Sequence, residues 1–409
     1  MHDPGMTEPR VPATISHLFR TRHVHATFGR HDPRRKQGAA KRVAIALKVA
    51  GSNGQPGASV QGRHRRCRWF RERFMPENDR VVAREGVKIE ERVVPVPSSI
   101  SPEAQARLKA AVGPDGTPLN AIYTVPAPGD HEVWRSMREA ADAQYAAAMK
   151  DRAVCDTAEV ETIRIGDATV HVATPSDVAF SGCVYIDLHG GAFVFGGGEA
   201  CRESARNQAA AHGLLCYGVD YRMPPDHPFP AALDDCLAVY ESVAGRFGAD
   251  RVVIGGRSAG GNLALATVLR AHDEGMTPPA GLVLLSPEAD LTESGDSFQV
   301  NRTVDVVLPN PLMSANLLYA NGADLAHRYL SPLFGEVFDG FPPTFIQSGT
   351  RDLFLSNAVR LHRAMRRRDV DADLHVFEAM PHGGFGGCPE DGELLTEVAG
   401  FIRKTLRGA

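Results

Sequence analysis

Short apolar runs alternate with amphipathic stretches from about residue 158 onward. Val184–Leu188, Leu214–Tyr221, Arg251–Gly255, Gly281–Leu285, Pro343–Gly349 and Leu374–Glu378 each read as a buried strand. Helical patterns separate them: near Glu203–His212, then Ala231–Phe247, Ala259–His272 and Asn357–Arg368, with Gly392–Thr405 closing the chain. Ahead of this series, Val160–Ile165 and Ala168–Thr174 predict a hairpin about Gly166-Asp167. Strands alternating with helices of this length predict an α/β fold, with a mostly parallel central sheet covered on both faces.

Two segments depart from the rhythm. Between Ile100 and Ala153 the pattern is helical: Ser101-Pro102-Glu103-Ala104 predicts an N-cap with proline at the first helical position, and His131–Met149 predicts a second helix. Residues 291–340 carry Asn and Pro clusters with short helical patches. An insertion there falls at the carboxyl ends of the strands, where sites form in such sheets. The two helices ahead of the first strand could form a lid or be ordinary packing.

Composition adds a division of the chain. Of its 409 residues, 43% are hydrophobic, which suits a globular core. The net charge is −4, unevenly spread: residues 1–75 hold 16 basic and 4 acidic residues, the remainder 29 and 45. The expected domains are thus 1–75, a basic and disordered extension or sequence ahead of a start at Met75, and 76–409, a catalytic body. An Arg-rich transit peptide and a nucleic-acid-binding arm are the rival readings of the extension. The acidic body has no basic face that suggests nucleic acid. Seven scattered cysteines without C-x-x-C spacing read as free thiols in a reducing, cytoplasmic setting, with no metal site. No apolar run approaches the ~20 residues that span a bilayer.

Chemistry concentrates at strand exits. Val252–Ile254 runs into Gly256-Arg257-Ser258-Ala259-Gly260, a Gly-x-Ser-x-Gly turn between an expected strand and helix. A serine hydroxyl is a weak nucleophile and needs a base. His382, flanked by Gly383 and Gly384 after the last strand, stands apart from histidines such as His171, His272 and His362. The acid that orients it is expected to be Asp352, after the penultimate strand, with Asp290 as rival. The first long strand exits into His189-Gly190-Gly191-Ala192. The N–H groups of Gly191, Ala192 and Ala259 are the expected oxyanion hole, with His189 and Gly190 bracing that loop. Phe193 and Phe195, next in the loop, are expected to restrict an acyl pocket, helped by Trp134, Met137, Leu317 and Leu318.

The His189–Ala192 and Gly256–Gly261 motifs, together with Asp220-Tyr221-Arg222-Met223-Pro224-Pro225-Asp226-His227-Pro228-Phe229-Pro230-Ala231-Ala232, resemble the hormone-sensitive-lipase-type group of α/β hydrolases over about residues 95–408. The resemblance implies an α/β-hydrolase fold with a helical cap built from about residues 95–153 and 291–340, carboxylester hydrolysis without a cofactor, and Ser258, Asp352 and His382 as triad in the usual chain order. Three positions depart from the pattern. Ala192 replaces the third glycine, Arg257 stands where an acid usually precedes the serine, and Ser356 replaces a second acid.

The expected function is a serine carboxylesterase acting on short-acyl esters through an acyl-enzyme. Lactonase, amidase and sterol-ester deacetylase activity on the same residues are the alternatives within the class. Outside it stands a small-molecule receptor, as in the similar gibberellin receptors of plants, which have lost the histidine that His382 supplies here. The expected partner is a small ester, with homodimerisation left open.

Overall fold

The computed structural model describes residues 86–87, 89–122, 124–151 and 158–407. The basic extension, residues 1–75, lies outside them. Met1–Glu90 and Glu91–Ala409 separate as two units, and the architecture below is that of the second.

Eight strands form one sheet: β1 Glu159–Ile165, β2 Ala168–Thr174, β3 Val184–Leu188, β4 Leu215–Asp220, β5 Val252–Arg257, β6 Gly281–Leu285, β7 Thr344–Gly349 and β8 Ala372–Phe377. Their spatial order is β1-β2-β4-β3-β5-β6-β7-β8. The hairpin pairs Ile165 with Ala168 across Gly166, whose φ of 57° is free of strain only for glycine. β2 meets both its neighbours antiparallel, and every pair from β4 to β8 is parallel. Ahead of β1 lie α1 Pro102–Ala110 and α2 His131–Asp151; between strands run α3 Glu199–His212, α4 Ala231–Phe247, α5 Ala259–Asp273, α6 Ser297–Val300, α7 Met313–Ala320 and α8 Leu355–Arg366, and α9 Pro389–Leu406 follows β8.

The strand period of two sorts side chains onto two cores. Ile186, Leu188, Ile254, Leu284 and Ile346 face one side and pack with α4, α5 and α8 residues such as Leu233, Leu263 and Leu361. Tyr185, Val253, Val283 and Phe345 face the other and pack with Ala205 and Ala209 of α3 and with Val398 and Ile402 of α9. Both faces are covered, so these strands read as continuous apolar runs.

The expected helix starts shift where a cap decides them. Ser101 caps α1 as expected, its Oγ accepting from Ala104 N–H at 3.1 Å. It also binds Glu390 of α9 through N–H and hydroxyl, at 2.7 and 2.9 Å, which ties the first helix to the last. α9 starts at Pro389, ahead of the expected Gly392, because Asp391 reaches back to the Cys388 N–H at 2.8 Å. Of the cysteines, 183, 201, 216, 236 and 388 are free thiols, and Cys67 and Cys155 lie outside the described residues. Among the described residues no helix is long and apolar enough to cross a membrane.

Candidate active site

Parallel strands deliver their exits to one edge of the sheet. Ser258 follows β5, Asp352 follows β7 and His382 follows β8, while His189 follows β3 beside β5. The structure brings the first three together. His382 Nε2 lies 3.0 Å from Ser258 Oγ, and Nδ1 lies 3.0 Å from Asp352 Oδ1. Ser258 is 7% and His382 9% exposed, which leaves the hydroxyl and ring reachable while the carboxylate is fully enclosed.

The turn at Ser258 is strained. Its φ of 57° and ψ of −121° place a non-glycine residue in a region that costs of order 1–3 kcal/mol. Backbone bonds hold it there: Ser258 N–H donates to Leu285 O at 2.9 Å, and Ser258 O accepts from the N–H groups of Asn262 and Glu288 at 3.1 Å each. The flanking glycines serve close approach rather than the turn angle itself. A Cβ at Gly256 would sit 2.2 Å from Gly260 O, and one at Gly260 would sit 1.9 Å from Leu188 O. The unusual angle belongs to the serine, and the glycines make room for the turn.

Asp352 is oriented from three sides. Oδ2 accepts from Ser348 Oγ at 2.7 Å and Oδ1 from Phe354 N–H at 2.9 Å, in addition to the imidazole. Burial works against the charged form, but the His382 ring and these donors hold the carboxyl below its ordinary value. The Phe354 ring meets the His382 ring edge-on at 4.8 Å. Asp290 is engaged elsewhere: its oxygens accept from Thr292, Ser294 and Arg360, the last at 2.6 Å.

The loop after β3 lies against the serine. A Cβ at Gly190 would come within 3.4 Å of Ser258 Cβ. Ala192 and Phe193 both adopt positive φ, 51° and 63°. The Gly191 and Ala192 N–H groups meet no backbone acceptor among the described residues. Ala259 opens α5, so its N–H has no intrahelical partner. His189 Nδ1 bonds Gly190 O at 2.8 Å, and burial lowers the pKa of the ring. That bond ties the ring to the backbone of its own loop. Gly196 N–H donates to Asp142 of α2 at 2.6 Å.

Alternate residues of this loop face different neighbours. Ala192 and Val194 pack with Trp134 of α2 and with Ala315 and Leu318 of α7, joined by half-buried Met137 and Phe195. Phe193 does not line a pocket as expected. It is fully buried and stacks on Tyr319 at 4.1 Å, because the loop's alternation turns it toward the core.

The Asp220–Ala232 string now has a physical account. Asp220 accepts from Gly198 N–H at 3.1 Å. Arg222 forks onto Asp235 through Nε and a terminal nitrogen, the shortest contact 2.8 Å. Asp226 pairs with Arg135 and Arg138 of α2 at 2.9 and 3.3 Å. One string therefore fastens the loop after β3 and the α2 helix to the sheet. At the departing positions, Ser356 and Ser297 exchange reciprocal bonds, Ser297 N–H to Ser356 Oγ at 2.8 Å and Ser356 N–H to Ser297 Oγ at 2.9 Å. Arg257 lends positive charge toward buried Asp187, whose carboxyl burial pushes up to about 6.

Sequence reasoning missed Asn301, which bonds the Asp352 loop, and Asp305, which bonds both that loop and the His382 loop. The available signal was an acid set among valines, Val304-Asp305-Val306-Val307, in a segment without periodicity.

The chain's relatives carry the same architecture. A family profile described as alpha/beta hydrolase fold matches residues 185–385. An esterase of Acinetobacter venetianus is 32% identical over 221 residues, covering 52% of this chain and 72% of that one. An acetyl-hydrolase of Streptomyces hygroscopicus is 29% identical, covering 61% and 83%. Among solved structures, an esterase superposes with a TM-score of 0.72 at 34% identity, covering 78% of this chain and 98% of that one. An esterase of the bacterial hormone-sensitive lipase family gives 0.64 at 27%, covering 75% and 99%. On this likeness the chain belongs to the α/β-hydrolase fold family, in its hormone-sensitive-lipase-type group of esterases.

Proposed function

We propose that this esterase hydrolyses short-acyl carboxylic esters with Ser258 as nucleophile, His382 as general base and acid, and Asp352 as the orienting carboxylate. The observation that carries the reading is the unbroken 3.0 Å and 3.0 Å chain from Ser258 through His382 to Asp352. Ser258 Oγ attacks the ester carbonyl while Nε2 takes its proton. Asp352 stabilises the resulting imidazolium. Negative charge grows on the former carbonyl oxygen, which the N–H groups of Ala259, Gly191 and Ala192 are there to receive; one such donor is worth ~3 kcal/mol. The intermediate collapses, Nε2 returns the proton to the leaving alkoxide, and the alcohol departs. Water then repeats the sequence on the acyl-enzyme, releasing the carboxylic acid and free Ser258.

In this reading residues 76–409 are the catalytic domain, and the segments 95–153 and 291–340 form a cap over the site. The contact of Trp134, Ala315 and Leu318 on the loop that carries Ala192 supports a confined acyl site, with Phe195 at its edge. The test is a rate profile over aryl esters, lactones and anilides, with Ser258→Ala as the blank. The proposal expects short aryl esters to dominate; a preference for lactones or anilides would move it to another reaction.

A further inference from the structure

Two side chains of the segment before α7 bind the Asp352 loop, and one of them, Asp305, binds the His382 loop as well. Asn301 Nδ2 donates to the carbonyls of Asp352 and Thr350, at 2.8 and 3.2 Å. Asp305 is fully buried. Its Oδ2 accepts from Leu353 N–H at 2.9 Å and from His382 N–H at 3.1 Å. Its Oδ1 accepts from the N–H groups of Val307 and Leu308, at 2.9 and 3.0 Å. A single oxygen thus receives the residue after the acid and the base itself. Asp305 N–H closes the turn on Asn301 O at 2.9 Å.

We propose that Asp305 is a positioning residue: it locks the His382 loop to the Asp352 loop and supplies a second buried carboxylate that favours the imidazolium formed during acyl transfer. The proposal rests on the Ser258–His382–Asp352 reading. Four N–H donors converge on this group, and a carboxylate is the side chain built to accept all of them. An asparagine in its place would turn its NH₂ toward two of the donors. The charge is costly here. Burial, and then the neighbouring Asp352, raise the carboxyl above its ordinary value, while His382 and the N–H groups of Leu308 and Leu353 draw it back. Asp352 and His382 are the titratable groups that face it from the loops packed against it. Two carboxylates around one imidazole become favourable when the ring carries a proton, which is its state at the transition state of both half-reactions.

The experiment compares Asp305→Asn, Asn301→Ala and Ser258→Ala with the full wild-type chain, using p-nitrophenyl butyrate, thermal melting and the pH profile of kcat/KM. Asp305→Asn is expected to lower kcat roughly 10- to 100-fold with KM within about threefold, a loss of transition-state rather than ground-state stabilisation. Its acidic limb is expected to move to lower pH by roughly half a unit or more, since a negative charge near the ring has been removed. Asn301→Ala keeps both carboxylates, so it should lower kcat by roughly 3- to 10-fold and leave the limb in place. A folded Asp305→Asn with wild-type kcat and limb overturns the proposal. So does a loss that follows the folded fraction with the limb unmoved. If Asp305→Asn fails to fold, Asp305→Ser takes its place, and a folded Asp305→Ser with wild-type kcat and limb overturns the proposal. Turnover by Ser258→Ala would instead remove the triad reading, and the clamp with it.

Discussion

The ring of Tyr221 lies parallel to that of His189, with centroids 4.0 Å apart, and its hydroxyl donates to the His189 carbonyl at 2.8 Å. Both residues are buried. A side chain from the end of β4 therefore sets the backbone of the turn that follows β3. Tyr221→Phe keeps the stacking and leaves one buried carbonyl unsatisfied, a cost of about 1–3 kcal/mol. The expected result is a lower melting temperature and a kcat reduced about 3- to 10-fold with KM nearly unchanged. Equal kcat in the two proteins would detach the hydroxyl from the oxyanion side of the site.

Asp352 and Asp290 separate in kind. Asp352→Asn keeps the shape but removes the charge beside His382, and kcat should fall about 10³- to 10⁴-fold, as for the corresponding carboxylate of serine proteases. Asp290→Asn breaks a contact with Arg360 in which the carboxylate is fully buried. Its main effect should be on stability, with kcat within about tenfold once the protein is folded. Kinetics on both variants below their melting temperatures decide the matter, and a larger kcat loss for Asp290→Asn reverses the assignment.

Glu293 predicts a pH-dependent stability. Burial, opposed by the Leu312 N–H it accepts at 2.6 Å, pushes its carboxyl up to about 7. A folded value above the unfolded one near 4.5 means that the folded state holds its proton more tightly. This contribution is complete below about pH 4.5 and is lost as pH rises through about 7. At ~1.36 kcal/mol per unit, and reduced for its partial exposure, it amounts to roughly 1–2 kcal/mol. Glu293→Gln retains an acceptor for Leu312 and cannot ionise. Denaturant melts should show the variant gaining on wild type from pH 5 to pH 8; parallel curves would refute the assignment.

Acyl length tests the cap. Each CH₂ buried should add ~0.8 kcal/mol while room remains, and overpacking then costs ~1–3 kcal/mol. The side chains over Ala192 should stop the gain at about butyrate or hexanoate. Values of kcat/KM for p-nitrophenyl esters from two to sixteen carbons, in monomeric solution, provide the check. A maximum at twelve carbons or beyond would mean that the cap does not confine the acyl chain.

The sheet was legible because its strands are buried on both faces and stand out as apolar runs between amphipathic helices. α4 and β6 fall on their expected residues, Ala231–Phe247 and Gly281–Leu285. The positions of Ser258, Asp352 and His382 follow from strand exits, which the chain order exposes. What stayed hidden depends on contacts between segments far apart in sequence. Phe193 faces Tyr319 because of a turn whose angles no hydrophobic pattern encodes. Asp305 meets His382 across 77 positions, within a segment that has no period to follow.

Hydrolysis of p-nitrophenyl butyrate by purified Ser258→Ala, measured beside wild type with the melting temperatures matched, addresses the central claim most directly. The account predicts a fall in kcat of about 10⁶-fold, the scale on which loss of the nucleophile acts in a comparable serine hydrolase. Retention of more than a few per cent of wild-type turnover by the folded variant would contradict it.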